Sequence, residues 1–354
     1  MEIGFAFDPI FLEHGEPWHP ENRGRLEAIM ATLKEQDVLS RLRHIPVRPA
    51  TDDEIAWVHD PDYVDEIREI SRAGGGHLDA DTIATASTWD AALKAAGAAI
   101  SATREVLAGR LAVAFCAVRP PGHHALPYRA MGFCFFNNVA LAAEAALREG
   151  ASRVAIVDWD VHHGNGTQEI FYHRGDVLYI SVHQAYHEGA VGIFYPGTGT
   201  VDEVGVDAGF GKTVNIPLPG GAVDQDYFDA FAQVVLPALR RYRPDIILIS
   251  AGYDAHHSDP LAGMLLSVRA FHTMTRMVAD VAREICGGRL VAVLEGGYDR
   301  EALASGVHDT LRALMGQGSA YKDDRPPQPH PRHHALVREY LEHAIGMHRH
   351  RLGI

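Results

Sequence analysis

An α/β fold, with one buried parallel sheet covered by helices on both faces, is what this sequence predicts, and three observations predict it. Short β-branched runs alternate with longer amphipathic segments along the chain, the pattern of successive βαβ units. Several of those runs, RVAIVDWD, DIILISAGYD and LVAVLEGGY, stay apolar and then turn polar or glycine-rich at the carboxyl end, the edge at which open α/β sheets bind ligands. The 354 residues show no internal repeat and one stretch of linker composition, so a single large core is expected.

In chain order, strands are expected at residues 2–7, 112–118, 153–159, 177–183, 213–217, 245–251 and 290–295. Helices are expected at 22–36, 61–72, 88–108, 137–149, 224–241, 267–286 and 300–314. The stretch from His183 to Thr213 is glycine-rich with little periodicity. A loop that long in a compact domain is usually functional, which places it at the rim of a site. KDDRPPQPHPRHH, Lys322 to His334, reads as a linker, and VREYLEHAIGMH beyond it as a C-terminal helix. The expected organisation is a catalytic domain over residues 1–320, with residues 321–354 forming a linker and helix packed on the same domain or meeting a second copy in a homo-oligomer.

The composition narrows the function classes. No apolar run approaches the length needed to span a bilayer, and MEIGFAFDPIFLEHGEP lacks the basic start and apolar stretch of a secretory signal, so a cytoplasmic protein is expected. Cys116, Cys134 and Cys286 are odd in number, far apart and set in apolar segments, as reduced core thiols are. A net charge of −14 with no Lys/Arg-rich run argues against nucleic-acid binding by phosphate neutralisation.

DWDVHHGNGT, residues 158–167, carries the most chemistry. On an extended chain alternate side chains share a face, so Asp158, Asp160 and His162 point one way. A lone Asp at a strand end is most often a cap or a solvated carboxylate. Three such groups buried together without a cation would force like charges into a low dielectric, so a metal is the better reading, and Asp oxygen and His nitrogen are ordinary Zn(II) ligands. A catalytic zinc usually has three protein ligands and an open position. SAGYDAHHSDPL offers Asp254 as the third, with His256 and Asp259 as competitors; before a proline, a loop-shaping role suits Asp259 better.

RPPGHHALPYRAMGFCFFNN sets His123 and His124 on a tight turn, where a general base and an electrostatic partner would be poised near neutral pH. A pair of surface histidines is the bland alternative. LEGGYD delivers Tyr298 at the end of the last strand, where a phenol can donate a hydrogen bond to an oxyanion without adding a charge.

Together, RPPGHHA, GFCFFNN, DWDVHHGNGT, SAGYDAHHSDPL and EGGYD, in that order, closely resemble the arginase-like histone deacetylase superfamily, and within it the class II-like bacterial histone deacetylase-like amidohydrolases; the similarity runs from HPENRGRL to EGGYD. The resemblance implies a single-domain arginase-deacetylase fold with about eight parallel strands and one Zn(II) per chain at their carboxyl edge. By position it implies Asp160, His162 and Asp254 as zinc ligands, His124 as the base that deprotonates the attacking water, and His123 as the neighbour that tunes charge and helps protonate the leaving amine. Asp158 then matches the carboxylate that orients His123, and Asp158, Asp160, His162, Ser181 and Val182 match the surroundings of a structural potassium ion. Asn165 matches the partner of His124, where class I members carry aspartate and class II members asparagine.

Tyr298 matches the transition-state tyrosine, which separates the chain from members that carry histidine there and deacetylate poorly. Phe133 and Tyr195 match the aromatic walls of a narrow channel for an aliphatic stem, and Arg25 an arginine lining an acetate exit. The implied reaction is hydrolysis of an N-acyl amide, acetyl-lysine above all, with release of acetate and free amine. An Asp-His-Asp set without thiolate would also hold Fe(II) or Co(II).

Three rivals differ in class. Acetylpolyamine amidohydrolases share the core, and selective members can carry an acidic residue directly after the Asp-Pro of the third-ligand motif. Here that position is Leu261, which favours an acetyl-lysine type of substrate, although Glu188 or Asp202 in the long loop would substitute. A binuclear arginase-type hydrolase would need more ligands than Asp158 and a histidine pair supply. A non-catalytic acyl-lysine binding or scaffold protein would have no need of the intact ligands, base and tyrosine.

Overall fold

The computed structural model describes residues 2–322 and 324–353; residues 1, 323 and 354, within the expected domain, linker and C-terminal segment, lie outside the described residues. The strands are β1 (Ile3–Ala6), β2 (Arg43–His44), β3 (Gly75–His77), β4 (Ile83–Thr85), β5 (Val113–Cys116), β6 (Val154–Asp158), β7 (Val177–Tyr186), β8 (Thr213–Pro219), β9 (Ile246–Ala251) and β10 (Leu290–Leu294). Eight of them form one sheet in the order β2-β1-β5-β10-β9-β6-β7-β8, and every pairing in it is parallel. β5, β6, β9 and β10 are buried along their whole length, which explains their unbroken apolar runs: helices cover both faces.

The helices are α1 (Gly24–Glu35), α2 (Asp52–Ile55), α3 (Pro61–Arg72), α4 (Thr88–Leu107), α5 (Asn138–Arg148), α6 (Asn165–Phe171), α7 (Asp224–Ala230), α8 (Leu236–Tyr242), α9 (Val268–Cys286), α10 (Arg300–Leu314) and α11 (Pro331–Leu352). α4 and α5 pack side by side and reach β5, β10, β9 and β6, while α9 lies against β9 with α10 beside it and α1 beyond. α11 packs on β8 through Val337, Leu341, Ala344 and Ile345.

Sequence and structure part in several places, the short helices α2 and α6 among them. The helix expected over 224–241 is interrupted by a π turn, Phe231–Val235, which ends two residues before Pro237. Proline has no N–H to give and its ring crowds the carbonyl four residues back, so the wider turn accommodates it. β7 continues to Tyr186, so the long loop starts after Tyr186 rather than at His183. β2 spans two exposed residues and carries no readable periodicity. The β3–β4 hairpin forms a separate antiparallel pair.

The topology decides where a site can lie. The chain leaves β5, crosses to β6, continues outward through β7 and β8, then returns to insert β9 and β10 between β6 and β5. β5, β10, β9 and β6 therefore stand side by side, and the segments that follow them, far apart in sequence, converge at the switch in winding direction.

Candidate active site and metal centre

Asp160 and His162 follow β6, and Asp254 follows β9. His162 Nδ1 lies 3.2 Å from Asp160 Oδ1 and 3.2 Å from Asp254 Oδ2. A ring nitrogen carries at most one proton, so it cannot satisfy both carboxylates, and neither Asp has any solvent exposure. A cation between the three resolves the arrangement. The backbone leaves room for little else: a Cβ on Gly252 would collide with Asp160 Oδ2, and one on Gly296 with Asp254 Oδ2. The other carboxylate oxygens are held by backbone donors, Asp254 Oδ1 by Val161 N at 2.9 Å and Asp160 Oδ2 by Gly296 N at 2.7 Å, which fixes the trio before any ion arrives. The donor set and its packing fit a zinc ion. Asp259, the competitor for third ligand, instead accepts from Tyr298 N at 2.7 Å and Leu261 N at 2.9 Å, a loop-shaping role.

Beside the trio, the turn after β5 presents the two histidines with ring centroids 4.1 Å apart. They are electrically opposite. Against burial, which pushes it down, His123 is raised to about 10 by Asp160, Asp158 and Glu295. Its Nδ1 donates to Asp158 Oδ2 at 3.0 Å, and Tyr179 donates its hydroxyl to the same oxygen. His124 is held well below the usual imidazole value by burial and by the charge of His123 and His162. Its Nδ1 faces Asn165 Oδ1 at 2.8 Å, an oxygen that only accepts, while Asn165 Nδ2 points to Met131 Sδ at 3.3 Å. The proton of neutral His124 is therefore on Nδ1, and Nε2 is free to accept one.

A cavity of about 210 Å³ opens over this floor, lined by His124, His162, Phe133, Phe194, Tyr195, Tyr298, Leu261, Gly132 and Asp81. Phe133 and Tyr298 meet edge to face at 5.7 Å, and His162 stacks on Phe194 at 5.2 Å. Phe133 is held at φ +68°, a left-handed conformation that costs an aromatic residue about 1–3 kcal/mol and recurs at functional sites. Leu261 lies in the channel wall as an apolar residue. Glu188 and Asp202, the proposed substitutes for an acidic gatekeeper, are paired elsewhere, with His333 at 2.6 Å and Arg351 at 2.6 Å.

Arg25 is buried beneath Tyr298, its Cζ 5.0 Å from the ring centroid. Nε donates to Gly297 O at 2.7 Å and Nη2 to Glu295 O at 2.5 Å, which braces the backbone on either side of Gly296 before Tyr298, while Nη1 donates to Glu21 at 3.0 Å. The small cavity behind Phe133 is lined by His14, His19, Glu21 and Phe135 among others. Ser181 lies opposite Asp158 in the β6–β7 ladder, with Val182 next to it. The three cysteines are free and buried.

Among the residues of the site that escaped the sequence reading are Glu295 and Asp81. Glu295 is fully buried, accepts from Gly122 N at 2.7 Å and His123 N at 3.1 Å, and is pushed up to about 7 by burial. It holds the histidine turn from the end of the neighbouring strand, β10. Asp81 stands in the β3–β4 turn, which is shaped by Asp79 Oδ1 accepting from Asp81 N and Thr82 N, and Thr82 Oγ1 in turn accepts from Phe133 N at 3.0 Å.

The histone deacetylase domain model matches residues 19–314. The chain belongs to the histone deacetylase family. Among its relatives, a histone deacetylase-like amidohydrolase of Pseudomonas aeruginosa is 43% identical, covering 90% of this chain and 82% of the relative. Histone deacetylase 10, chloroplastic, of Oryza sativa subsp. japonica is 41% identical over 95% of this chain and 78% of its own length. A probable deacetylase of Archaeoglobus fulgidus is 42% identical over 85% and 82%. The crystal structure of the HDA15 HD domain superposes with a TM-score of 0.88 at 39% identity, covering 99% of this chain and 96% of that one. Family membership and these relatives support an amide hydrolase, and the fold is that of the family.

Proposed function

We propose that the chain is a zinc-dependent deacetylase that hydrolyses an N-acyl amide at the end of a long side chain, acetyl-lysine above all. The observation that carries this reading is the convergence, on the floor of one narrow channel, of a buried Asp160–His162–Asp254 trio, a neutral His124 with Nε2 unprotonated, and the Tyr298 side chain. Zinc held by the trio would supply a Lewis acid that polarises the amide carbonyl and makes water a better nucleophile.

The protein's own groups do the rest. His124 Nε2 takes the proton of the attacking water, and the imidazolium so formed is stabilised through Nδ1 by the Asn165 amide oxygen. His123, kept protonated by Asp158, holds positive charge beside the reacting centre and helps protonate the leaving amine. Tyr298, kept as a neutral phenol by burial, donates a hydrogen bond to the oxyanion. Phe133 and Tyr195 enclose the aliphatic stem and exclude water from it. Asp158, Asp160, His162, Ser181 and Val182 are the proposed surroundings of a structural potassium ion, on the proximity of β6 and β7 at their carboxyl ends.

Asp81 supports a second reading. A carboxylate in the channel wall can accept the backbone N–H of an acetyl-lysine peptide or pair with the distant ammonium of an acetylpolyamine. Measuring kcat/KM on acetyl-lysine peptides, acetylputrescine, acetylspermidine and longer acyl-lysines separates the two: the peptide is expected to lead, and an acetylpolyamine preferred by more than about tenfold, 1.4 kcal/mol of discrimination, would install the second reading. No helix among the described residues is long and apolar enough to cross a membrane. Residence in the cytoplasm is proposed with the bacterial and archaeal relatives in view; the rice relative is named as chloroplastic.

A further inference from the structure

The loop from Asp254 to Leu261 carries three parts of the site at once. Asp254 belongs to the metal trio, Asp259 holds the backbone of Tyr298, and Leu261 lines the channel. Inside, the loop is anchored by these groups; outside, it is gripped by one carboxylate from a segment beyond the matched family domain, which ends at residue 314. His256 Nε2 lies 3.1 Å from Asp324 Oδ2, and His257 Nε2 lies 3.1 Å from Asp324 Oδ1. Asp324 Oδ2 also accepts from Val268 N at 2.6 Å, the first residue of α9.

That last contact supplies what α9 lacks. Its N-cap, Ser267, makes no side-chain cap bond, because its hydroxyl is turned to Asp224 Oδ2 at 2.6 Å. Asp324 accepts from the first free N–H of the helix, with negative charge at the helix N-terminus where it is favoured. One carboxylate thus joins the ligand loop, α9 and the C-terminal segment.

The same three side chains have the composition of a metal site, but the protons are placed against it. His256 Nδ1 accepts from Ser258 N at 3.2 Å, so the proton of neutral His256 is on Nε2, pointing at Asp324. A protonated nitrogen is a donor and not a ligand. We propose that Asp324 is a positioning residue: through His256 and His257 it fixes the Asp254–Leu261 loop, and so sets the affinity of the Asp160–His162–Asp254 trio for its metal. This rests on the zinc reading of that trio.

The test uses the full chain with Asp324→Ala and Asp324→Asn, read by chelator competition for zinc, by hydrogen exchange over residues 254–261 and by metal content. An asparagine keeps one acceptor oxygen, and its amide nitrogen can face His257, whose proton moves to Nδ1 beside Ser258 Oγ. Zinc affinity is expected to fall roughly tenfold in Asp324→Ala, as when a group that orients a metal ligand is removed, and to stay within about threefold of wild type in Asp324→Asn. Exchange over the loop should rise in the alanine variant, with one zinc per chain throughout. Should Asp324→Ala fail to fold, His257→Phe removes one arm of the clamp and is expected to give a smaller loss in the same two readouts. Unchanged affinity and exchange in a folded Asp324→Ala would overturn the proposal. So would a second equivalent of zinc in the wild type that both Asp324 variants lose. Neither readout needs turnover, so an inactive wild type would refute the hydrolase and leave the clamp to be judged separately.

Discussion

Two clusters of the same residue types stand at opposite ends of a short stretch of chain, and they behave differently. Asp160–His162–Asp254 and His256–His257–Asp324 each bring three potential ligand atoms within 4.8 Å of one another. The first sets two fully buried carboxylates against one ring nitrogen and has one proton too few, the shortfall on which the proposed metal site rests. The second sets two imidazoles against one carboxylate that also holds a backbone N–H, and every contact is a satisfied hydrogen bond. Residue type and proximity do not separate a metal site from a clamp. The count of protons against acceptors does.

The largest expected effect lies in the first cluster. Asp254→Asn removes a charged ligand, so metal content should drop well below one zinc per chain and acetate release should fall to the chelated background, as removal of zinc by a chelator also would. Bound zinc and full turnover in that variant would erase the distinction between the clusters. His124→Ala should lower kcat by about 10²–10⁴ with metal content unchanged, the range for a lost general base.

The channel wall comes next. Leu261→Glu is expected to shift kcat/KM toward acetylspermidine over an acetyl-lysine peptide by about tenfold, since a carboxylate at that position can meet a distant ammonium. Equal kcat/KM ratios in the two enzymes would show that Leu261 does not select.

The smallest effect is a shift in pH. The base role proposed for His124 requires the neutral ring, and burial together with the charge of His123 and His162 holds its pKa low. Asn165→Asp would place a carboxylate on Nδ1–H, stabilise the imidazolium and raise that pKa. The acid limb of kcat/KM should therefore move to higher pH, by about one unit. A limb that stays in place or moves down would contradict the role given to Asn165.

Much of this was legible in the sequence because the informative strands are buried on both faces. β6, β9 and β10 run apolar until they emerge at the carboxyl edge, so Asp158–His162, Asp254 and Tyr298 stood out against their surroundings. The alternation that grouped Asp158, Asp160 and His162 assumed an extended chain, whereas the strand ends at Asp158 and Asp160 meets His162 through a turn in which His162 N donates to Asp160 Oδ1 at 2.9 Å. What escaped depends on partners remote in sequence. Glu295 belonged to a motif already noted, yet its work is done on Gly122 and His123, after a strand that neighbours its own in the sheet but lies far away in sequence. Asp81 sits in a hairpin of two three-residue strands, too short for periodicity. Asp324 lies in a segment whose proline-rich composition reads as linker, and only the fold shows what it grips. Arg25 was expected beside a path for acetate, and its contacts with Glu21 and with the Glu295 and Gly297 carbonyls beneath Tyr298 join segments far apart in sequence.

The most direct test of the central claim is acetate release from an acetyl-lysine peptide by the zinc-restored chain and by Tyr298→Phe at equal metal content. The account predicts turnover that chelation abolishes and zinc restores, and a fall of about 10²–10³ in kcat when the phenol hydroxyl that donates to the oxyanion is removed. A wild type that holds one zinc and releases no acetate, or a phenylalanine variant as fast as wild type, would contradict it.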